Sequence, residues 1–467
     1  MKKALFRGIA LLICLNICSL MFAGCGGKKE KTVPIGLPDY SEYENDLELQ
    51  IGGWNPPPPK HTTSIDSPDY DFQTAERYKE MAECGLNLGI CVYEERRTYP
   101  EEFEKALNLA AENGIKLLVM DYKVRPENFD PDTSAEQLLE MTADYNDHPA
   151  FAGHHVIDEP ATTVFDSIGK LKTVYDEAFP DKVFFVNLLP SYATTSQLGT
   201  AKGYDYYVQY FIDRVSPDVL SLDYYPFKGT PSSPILYSGL LGDYEIYAEN
   251  AKLYGLPFWA FIGSMGWTGG ASKQPNIYDL RFMINAALMF GANTINHFCY
   301  WQPYDSVVET ENTYAMVKRD GTVTDVWYNA QTIHKELKKF DHVLLSYDWQ
   351  GIMVNVGTEN KRNTAFDILK NPVEKHDRVS EVVSNKDLAI GIFKDKNNYD
   401  GFYIMNYNDT KDTTATNTFS ITFKDADQVL VYVNGEEKIE SLTDGKLTMT
   451  LGAGDAVFAI PVLKGDK

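Results

Sequence analysis

The feature that most constrains the fold of this chain is an alternation of short apolar segments with amphipathic segments over residues 47–344. The amphipathic segments, such as "TAERYKEMAECG" and "PEEFEKALNLAAENG", carry apolar residues at helical spacing and end in a glycine, as many helices do. Eight strands alternating with helices predict a (β/α)₈ barrel. The alternative, a doubly wound open sheet, lacks the glycine-rich loop expected after its first strand. The segments predicted to be strands are "LQIGGWN", "LNLGICVY", "IKLLVMDY", "FAGHHVIDE", "KVFFVNLLP", "DVLSLDYYPF", "LPFWAFIGS" and "NTINHFCYW".

The pattern changes at about residue 345. Short segments with alternating apolar residues follow one another, separated by Asn, Asp and Gly turns; examples are "LAIGIFKD", "GFYIMNYND" and "VLVYVNG". Such spacing is typical of antiparallel sheets. We therefore predict that residues 345–467 form a small β-sandwich domain after the barrel.

The N-terminus has the features of a bacterial targeting segment. Basic residues precede the apolar run "GIALLICLNICSLMFAGC", which is short for a membrane-spanning helix. The ending "FAGC" resembles a lipobox, which implies cleavage after residue 24 and lipidation of Cys25. Residues 25–46 would then be a polar tether, and the protein would be extracytoplasmic and anchored to the bacterial membrane by lipid. The alternative is an ordinary signal peptide cleaved nearby.

Charge and cysteine usage narrow the class of partner. A formal net charge of −23 argues against nucleic acid, which requires a basic surface. Three cysteines follow Cys25, at positions 84, 91 and 299, without metal-ligand spacing, and they are expected to be buried apolar residues. We expect no cofactor and no metal. The oligomeric state is not predicted.

Acidic residues cluster where predicted barrel strands end, which is where barrel enzymes build their active sites. Asp158 and Glu159 end the fourth strand and Asp223 ends the sixth. Amide, imidazole and aromatic side chains occupy other strand ends, and an acid–amide–aromatic rim suits a sugar site. The candidate substrate-binding residues are Trp54, Asn55, Asp121, His155, Asn187, Tyr224, Tyr225, Trp267 and Trp301.

Several of these residues also have structural interpretations. Asp158 and Glu159 could cap the following helix, and Asp121 could pair with Arg125. Adjacent residues on a strand face opposite ways, so His154 and His155 cannot bind one metal ion together and only one of them faces inward. By the same alternation, one of Tyr224 and Tyr225 is expected to point into the core.

The segment "HPAFAGHHVIDEP" resembles the fourth strand of (β/α)₈-barrel glycoside hydrolases, where "HPAV.GW...NEP" is common. "NLGICVYEE" and "FGANTINHFCYWQP" are similar to the second and last strands of β-galactosidase-like members of that superfamily. This resemblance implies that Glu159 is the general acid/base. Its role requires a raised pKa, and a neighbouring carboxylate such as Asp158 acts in that direction.

The chain departs from that superfamily at two positions. Asp158 replaces the usual Asn, and the seventh strand, "FWAFIGSMGW", has Ser264 and no acid where the family has its nucleophilic Glu. Two schemes remain open. In one, Asp158 orients a 2-acetamido group that is itself the nucleophile, as in β-hexosaminidases; in the other, Asp223 or Asp121 is the partner carboxylate.

The sequence thus predicts a glycoside hydrolase acting on an extracellular oligo- or polysaccharide, with Glu159 as acid/base and Asp158 or Asp223 as partner. The alternative is a non-catalytic cell-surface glycan-binding lipoprotein on a degenerate barrel. A structural lipoprotein or solute receptor, as a third class, would not require acids clustered at one rim.

Overall fold

The computed structural model describes residues 36–60, 71–95, 97–230, 233–236, 239–267, 272–304, 309–310, 313–360 and 365–464. Cys25 and the predicted signal segment lie outside these residues. None of the helices within the described ranges is long and apolar enough to cross a lipid bilayer.

Eight parallel strands close into a barrel in the order β1-β10-β9-β6-β5-β4-β3-β2. They coincide with the eight segments predicted from the apolar pattern, so the predicted (β/α)₈ barrel is confirmed. A two-stranded hairpin, β7 and β8, follows the sixth barrel strand. The strands of this part of the chain are β1 (Gln50–Trp54), β2 (Leu88–Glu95), β3 (Lys116–Met120), β4 (Phe151–Asp158), β5 (Val183–Leu188), β6 (Leu220–Asp223), β7 (Phe227–Thr230), β8 (Ser233–Leu236), β9 (Phe258–Gly263) and β10 (Thr294–Phe298).

Helices connect the strands around the outside of the barrel. The first two end as the sequence predicts: Gly85 and Gly114 follow them with φ of +93° and +69°, a conformation that glycine adopts without steric cost. The helices are α1 (Ala75–Glu83), α2 (Pro100–Glu112), α3 (Ala135–Met141), α4 (Phe165–Ala178), α5 (Thr195–Leu198), α6 (Tyr204–Val215), α7 (Leu240–Tyr254), α8 (Ile277–Met289), α9 (Asp325–Leu337) and α10 (Asp341–Leu345).

The C-terminal part is a β-sandwich, as predicted. A six-stranded antiparallel sheet, β11-β13-β14-β19-β16-β17, packs on a three-stranded sheet, β12-β15-β18, through a shared apolar core that includes Ile404, Phe419 and Val431. The strands are β11 (Tyr347–Asn355), β12 (Val379–Ser384), β13 (Leu388–Asp395), β14 (Asp400–Asn406), β15 (Asn417–Phe423), β16 (Ala426–Val433), β17 (Glu436–Ser441), β18 (Lys446–Leu451) and β19 (Ala456–Leu463).

The barrel and the sandwich share a continuous apolar core. Phe340 stacks on Tyr432 with ring centroids 5.2 Å apart. The segment before β1, expected to belong to the tether, also reaches this interface, where the Tyr40 hydroxyl lies 2.5 Å from that of Tyr347. The sandwich therefore buttresses the outside of the barrel.

Candidate active site

Three neighbouring strands bring the acidic candidates together at the carboxyl end of the barrel. Asp158 closes β4, Asn187 lies in β5 and Asp223 closes β6, and these strands are adjacent in the order β6-β5-β4. Asp158 pairs in register with Asn187, and Asn187 with Ser221. The three catalytic candidates, Asp158, Glu159 and Asp223, therefore form one cluster.

The carboxyl groups of Glu159 and Asp223 lie within hydrogen-bonding reach of each other, and each shifts the pKa of the other. Burial raises the pKa of both. Their mutual hydrogen bond lowers the pKa of Glu159 and raises that of Asp223, which is the pattern expected when Asp223 is protonated and donates to Glu159. The buried Oδ1 of Asp223 has no hydrogen-bond partner within the described structure, which a neutral carboxyl tolerates better than an ionised one. The pair is thus suited to holding one proton between two carboxyls.

Asp158 lies beside this pair in different surroundings. Its side chain, like that of Glu159, is open to solvent, but protein surrounds the carboxyl closely enough to displace much of its hydration. This desolvation and the charge of Glu159 raise the pKa of Asp158 to about 7. A hydrogen bond from Asn187 Nδ2 to Asp158 Oδ1, at 3.3 Å, opposes the rise.

The backbone after β4 is held in an uncommon conformation. Glu159 has φ of +46°, in the left-handed region that non-glycine residues rarely occupy. Its amide donates to the carbonyl of Asn187 at 2.9 Å. The carbonyl of the next residue, Pro160, accepts a hydrogen bond from the Tyr207 hydroxyl at 2.7 Å. These contacts offset the local strain and aim the Glu159 side chain at the barrel mouth.

Aromatic side chains line the mouth next to the acids. Tyr225 is half-buried, and burial followed by the charge of Asp223 raises its pKa well above its ordinary value. The Tyr225 ring lies 5.9 Å from that of Phe298. The Phe298 ring in turn packs near the Trp54 ring, with centroids 6.2 Å apart, and near the partly exposed Trp267 ring, with centroids 5.8 Å apart. The sugar-platform role of Trp54, Trp267 and Tyr225 stays a prediction. Trp54 is buried, whereas Trp267 and Tyr225 are partly exposed.

His155 and His154 face opposite sides of the barrel wall. His155 points inward, 4.8 Å from the Trp54 ring. His154 points toward the helices, where its ring nitrogens lie 2.8 Å from the Tyr145 hydroxyl and 3.0 Å from that of Tyr175. Burial lowers the pKa of His154 to about 3, so it is a neutral core residue. The alternation expected for adjacent strand residues accounts for both positions.

Four other candidate substrate-binding residues are buried and make packing contacts or hydrogen bonds within the protein. Trp301 is fully buried and packs against Phe72 at 4.6 Å, which contradicts its predicted role as a sugar platform. Tyr224 is the member of the Tyr pair that points into the core. Asn55 is buried, with its Nδ2 donating to the Trp301 carbonyl at 3.3 Å. Asp121, also buried, accepts from the Tyr145 hydroxyl at 2.8 Å.

Asn187 is also engaged within the protein. Its side chain is 3% exposed, and its Oδ1 accepts a hydrogen bond from Ser221 Oγ at 2.9 Å. With its Nδ2 directed at Asp158, the amide is part of the acid cluster. Its predicted contact with a sugar hydroxyl stays a prediction.

The end of the seventh barrel strand carries no acid. Ser264 points away from the mouth and lies 2.5 Å from Nδ1 of His297, between barrel and helices. Gly263 is the residue that faces Tyr225. The sequence contains no Asp or Glu between Glu249 and Asp279, so a partner carboxylate for Glu159 would have to come from another strand.

The structure adds residues near the acid cluster that sequence reasoning missed. Tyr192, 44% exposed in the loop after β5, has its pKa raised first by desolvation and then by the charge of Asp223. Lys228 Nζ lies 4.9 Å from the Tyr192 ring centre. Tyr207 donates a hydrogen bond to the carbonyl of Pro160, next to Glu159, and Ser221 donates one to Asn187. Ser221 could have been found from its spacing, because it lies two residues before Asp223 and therefore on the same face of β6.

No group of three or more potential metal ligands occurs among the described residues. Of the other acids near strand ends, Asp305 and Glu311 lie outside the described residues. Glu309 accepts a hydrogen bond from the backbone of Arg319 at 3.0 Å, within the loop after β10.

No protein-family model matches the chain, and no curated protein is similar to it in sequence. Solved structures do resemble it. One described as a glycoside hydrolase gives a TM-score of 0.51 at 11% identity, covering 90% of this chain and 94% of its own. A family 39 glycoside hydrolase from Bacteroides cellulosilyticus gives 0.48 at 12% identity, covering 91% and 83%.

A β-galactosidase from the psychrophilic Marinomonas ef1 gives a TM-score of 0.43 at 11% identity over 64% of this chain. The match spans 62% of the length of that enzyme. Sequence identities this low are evidence of a shared fold alone. The chain shares the fold of a solved glycoside hydrolase, over both the barrel and the domain that follows it.

Proposed function

We propose that this protein is a glycoside hydrolase acting on an extracellular oligo- or polysaccharide, with Glu159 as general acid/base and Asp223 as its partner carboxylate. The observation that carries the proposal is the hydrogen-bonded Glu159–Asp223 pair, whose pKa values are raised at the open end of the barrel. The aromatic rim and the fold shared with a solved glycoside hydrolase support it.

The pair supplies the two protonation states that glycoside cleavage requires. In the unliganded protein Asp223 holds the proton and Glu159 accepts its hydrogen bond. A glycosidic oxygen that contacts the exposed Glu159 would draw the proton across this bond, through Glu159 and onto itself. Asp223 would then be ionised as positive charge develops on the sugar ring.

The closeness of the two carboxyls indicates the stereochemical outcome. Hydrogen-bonded carboxyl oxygens are within about 3 Å of each other. Inverting glycosidases separate their carboxyls by about 6.5–9.5 Å to admit a water molecule, whereas retaining enzymes hold them about 5–5.5 Å apart. A pair this close favours the retaining scheme, in which Asp223 is the proposed nucleophile. We expect the product to keep the anomeric configuration of the substrate.

Asp158 supports a second scheme within the same function. Its carboxyl is exposed beside Glu159, and it could orient a 2-acetamido group that attacks in place of Asp223. Cleavage confined to N-acetylhexosaminides would favour this scheme, whereas cleavage of glycosides without an acetamido group would favour Asp223.

The test is hydrolysis of a panel of aryl glycosides and oligosaccharides by the wild type, Glu159→Gln and Asp223→Asn. Because general acid catalysis contributes about 10²–10⁴-fold, we expect each variant to lose at least about 100-fold in kcat while remaining folded. The surface variant Asp132→Asn is the matched control and should keep full activity. Full activity of Glu159→Gln would refute the assignment.

The missing acid on the seventh strand favours a non-catalytic glycan-binding protein as the second candidate. Such a protein would bind an oligosaccharide without cleaving it, and Glu159→Gln would bind with the same stoichiometry. Calorimetric titration of the oligosaccharides that bind, followed by chromatography of the recovered sugar, separates this function from hydrolysis.

We also propose that the protein is anchored to the outer face of a bacterial membrane by a lipid on Cys25. The support is the sequence "FAGC" after a basic and apolar leader. In the producing bacterium, Cys25→Ser should move the protein from the membrane fraction to the soluble fraction. Equal membrane retention of both forms would contradict the anchor.

A further inference from the structure

Asn187 and Ser221 form a buried hydrogen-bonded pair beneath the acids. Ser221 is fully buried and Asn187 is 3% exposed. They lie opposite each other on neighbouring parallel strands, β6 and β5, in register. Ser221 Oγ donates to Asn187 Oδ1 at 2.9 Å, so the amide oxygen has a partner on the side away from Asp158.

This contact determines which side of the amide faces the carboxyls. With its oxygen held by Ser221, Asn187 directs Nδ2 toward Asp158 Oδ1 at 3.3 Å. The Asn187 amide also acts to lower the pKa of Asp223. The donor hydrogens of an amide are on its nitrogen, so this orientation presents a donor to the acid cluster. Rotating the amide by 180° would place its oxygen against the Asp158 carboxyl, which has no hydrogen to donate when it is ionised.

We propose that Ser221 is a positioning residue that locks the Asn187 amide, so that its Nδ2 is directed at Asp158. Asp158 then remains a hydrogen-bond acceptor, and the proton of the cluster stays on the Asp223–Glu159 pair. The importance of this lock for catalysis rests on the proposed hydrolase function. The existence of the lock does not rest on that function, because the lock is a property of the unliganded protein.

The test is a ¹³C NMR titration of the Asp158 carboxyl in the free protein, assigned by comparison with Asp158→Asn. In Ser221→Ala the Asn187 amide is free to rotate. The ionised Asp158 carboxylate then loses the hydrogen bond that Asn187 donates to it. Hydrogen bonds of this kind correspond to about one pH unit, so we expect the midpoint of Asp158 to rise by about that amount. In activity assays, the acidic limb of the pH profile should move in the same direction.

Two variants distinguish positioning from a general structural effect. Ser264→Ala removes an equally buried serine hydroxyl at the end of β9, on the helix side of the barrel, and should leave the Asp158 midpoint unchanged. Ser221→Thr keeps the donor and should restore a midpoint close to that of the wild type. Alanine is smaller than serine, so Ser221→Ala does not overpack the site.

An unchanged midpoint in folded Ser221→Ala would overturn the proposal, and so would an equal rise in Ser264→Ala. Because the titration requires no substrate, a protein that cleaves no glycoside can still show the lock. Conversely, the protein could be an active hydrolase in which Ser221→Ala leaves the titration midpoint of Asp158 unchanged. That result would refute the lock and leave the hydrolase function in place.

Discussion

Asp158 and Glu159 are neighbours in the chain, yet they meet different surroundings. Glu159 exchanges a hydrogen bond with a second carboxyl, Asp223, whereas Asp158 accepts one from the Asn187 amide. Two like charges at a strand end repel each other, and the protein reduces this cost by keeping a proton in the cluster. Single side chains that change this proton count should therefore change both activity and stability.

Replacing Asp158 with Asn tests the electrostatic cost of the cluster. The pKa of Asp158 is raised in the folded protein to about 7, from 3.8. The folded state thus binds the proton more tightly than the unfolded state, and this contribution to stability is lost as pH rises from about 4 to about 7. Relative to the wild type, Asp158→Asn should gain melting temperature between pH 4 and pH 8. The exposed Asp132→Asn should show no such gain, and an equal gain in both would contradict the assignment.

Tyr207 offers a test of how Glu159 is held. Its buried hydroxyl donates to the Pro160 carbonyl, and Tyr207→Phe would leave that carbonyl without its donor. We expect a loss of about 1–3 kcal/mol in the free energy of unfolding and a lower kcat with little change in KM. Tyr206→Phe, next in the chain and half-exposed, is the control for denaturant unfolding and steady-state kinetics.

At the scale of elements, the junction after β4 concentrates the strain of the site. Glu159 has a positive φ, and Asn55 at the end of β1 has φ of +57°. Both residues sit where a barrel strand turns into its loop at the mouth. Strained backbone at such positions costs about 1–3 kcal/mol and persists where the surroundings over-determine it.

The strain at Glu159 can be measured with two inactive variants. Glu159→Gly should be more stable than Glu159→Ala by about 1 kcal/mol, because glycine adopts a positive φ without steric cost. At Lys170, exposed within α4, the order should reverse, and the alanine variant should be the more stable by about 0.5–1 kcal/mol. The same order at both positions, in chemical denaturation, would show that the junction after β4 is relaxed.

At the scale of the whole molecule, we expect the barrel and the sandwich to unfold as one body. The Glu245 carboxylate of α7 accepts hydrogen bonds from the backbone of Lys370 and Asn371, at 2.7 and 2.9 Å. Trp349 of the sandwich stacks on Phe290, with ring centroids 6.1 Å apart. These contacts join the two parts through a common apolar core.

This coupling predicts a single calorimetric transition. Tyr432→Ala, which removes the ring stacked on Phe340, should lower the stability of that transition by about 3 kcal/mol without splitting it. Ile439→Ala on the exposed edge strand β17 should leave it nearly unchanged. Two separate transitions in the wild type would contradict a shared core.

Much of this architecture is predictable because it follows from local patterns. Apolar alternation located all eight barrel strands, and their order placed Asp158, Glu159 and Asp223 at one rim. The burial of Trp301 was not predictable, since it depends on Phe72, more than two hundred positions away in the chain. The supporting roles of Ser221 and Tyr207 likewise depend on side chains that only the folded barrel brings together.

Neutron diffraction from deuterated crystals at pH 7 would test the central claim most directly, because it locates protons on carboxyl oxygens. We expect one deuteron between Asp223 and Glu159, bound to Asp223 in the absence of substrate. Two fully deprotonated carboxyls, or side chains too far apart to share a hydrogen bond, would contradict the proposed catalytic pair.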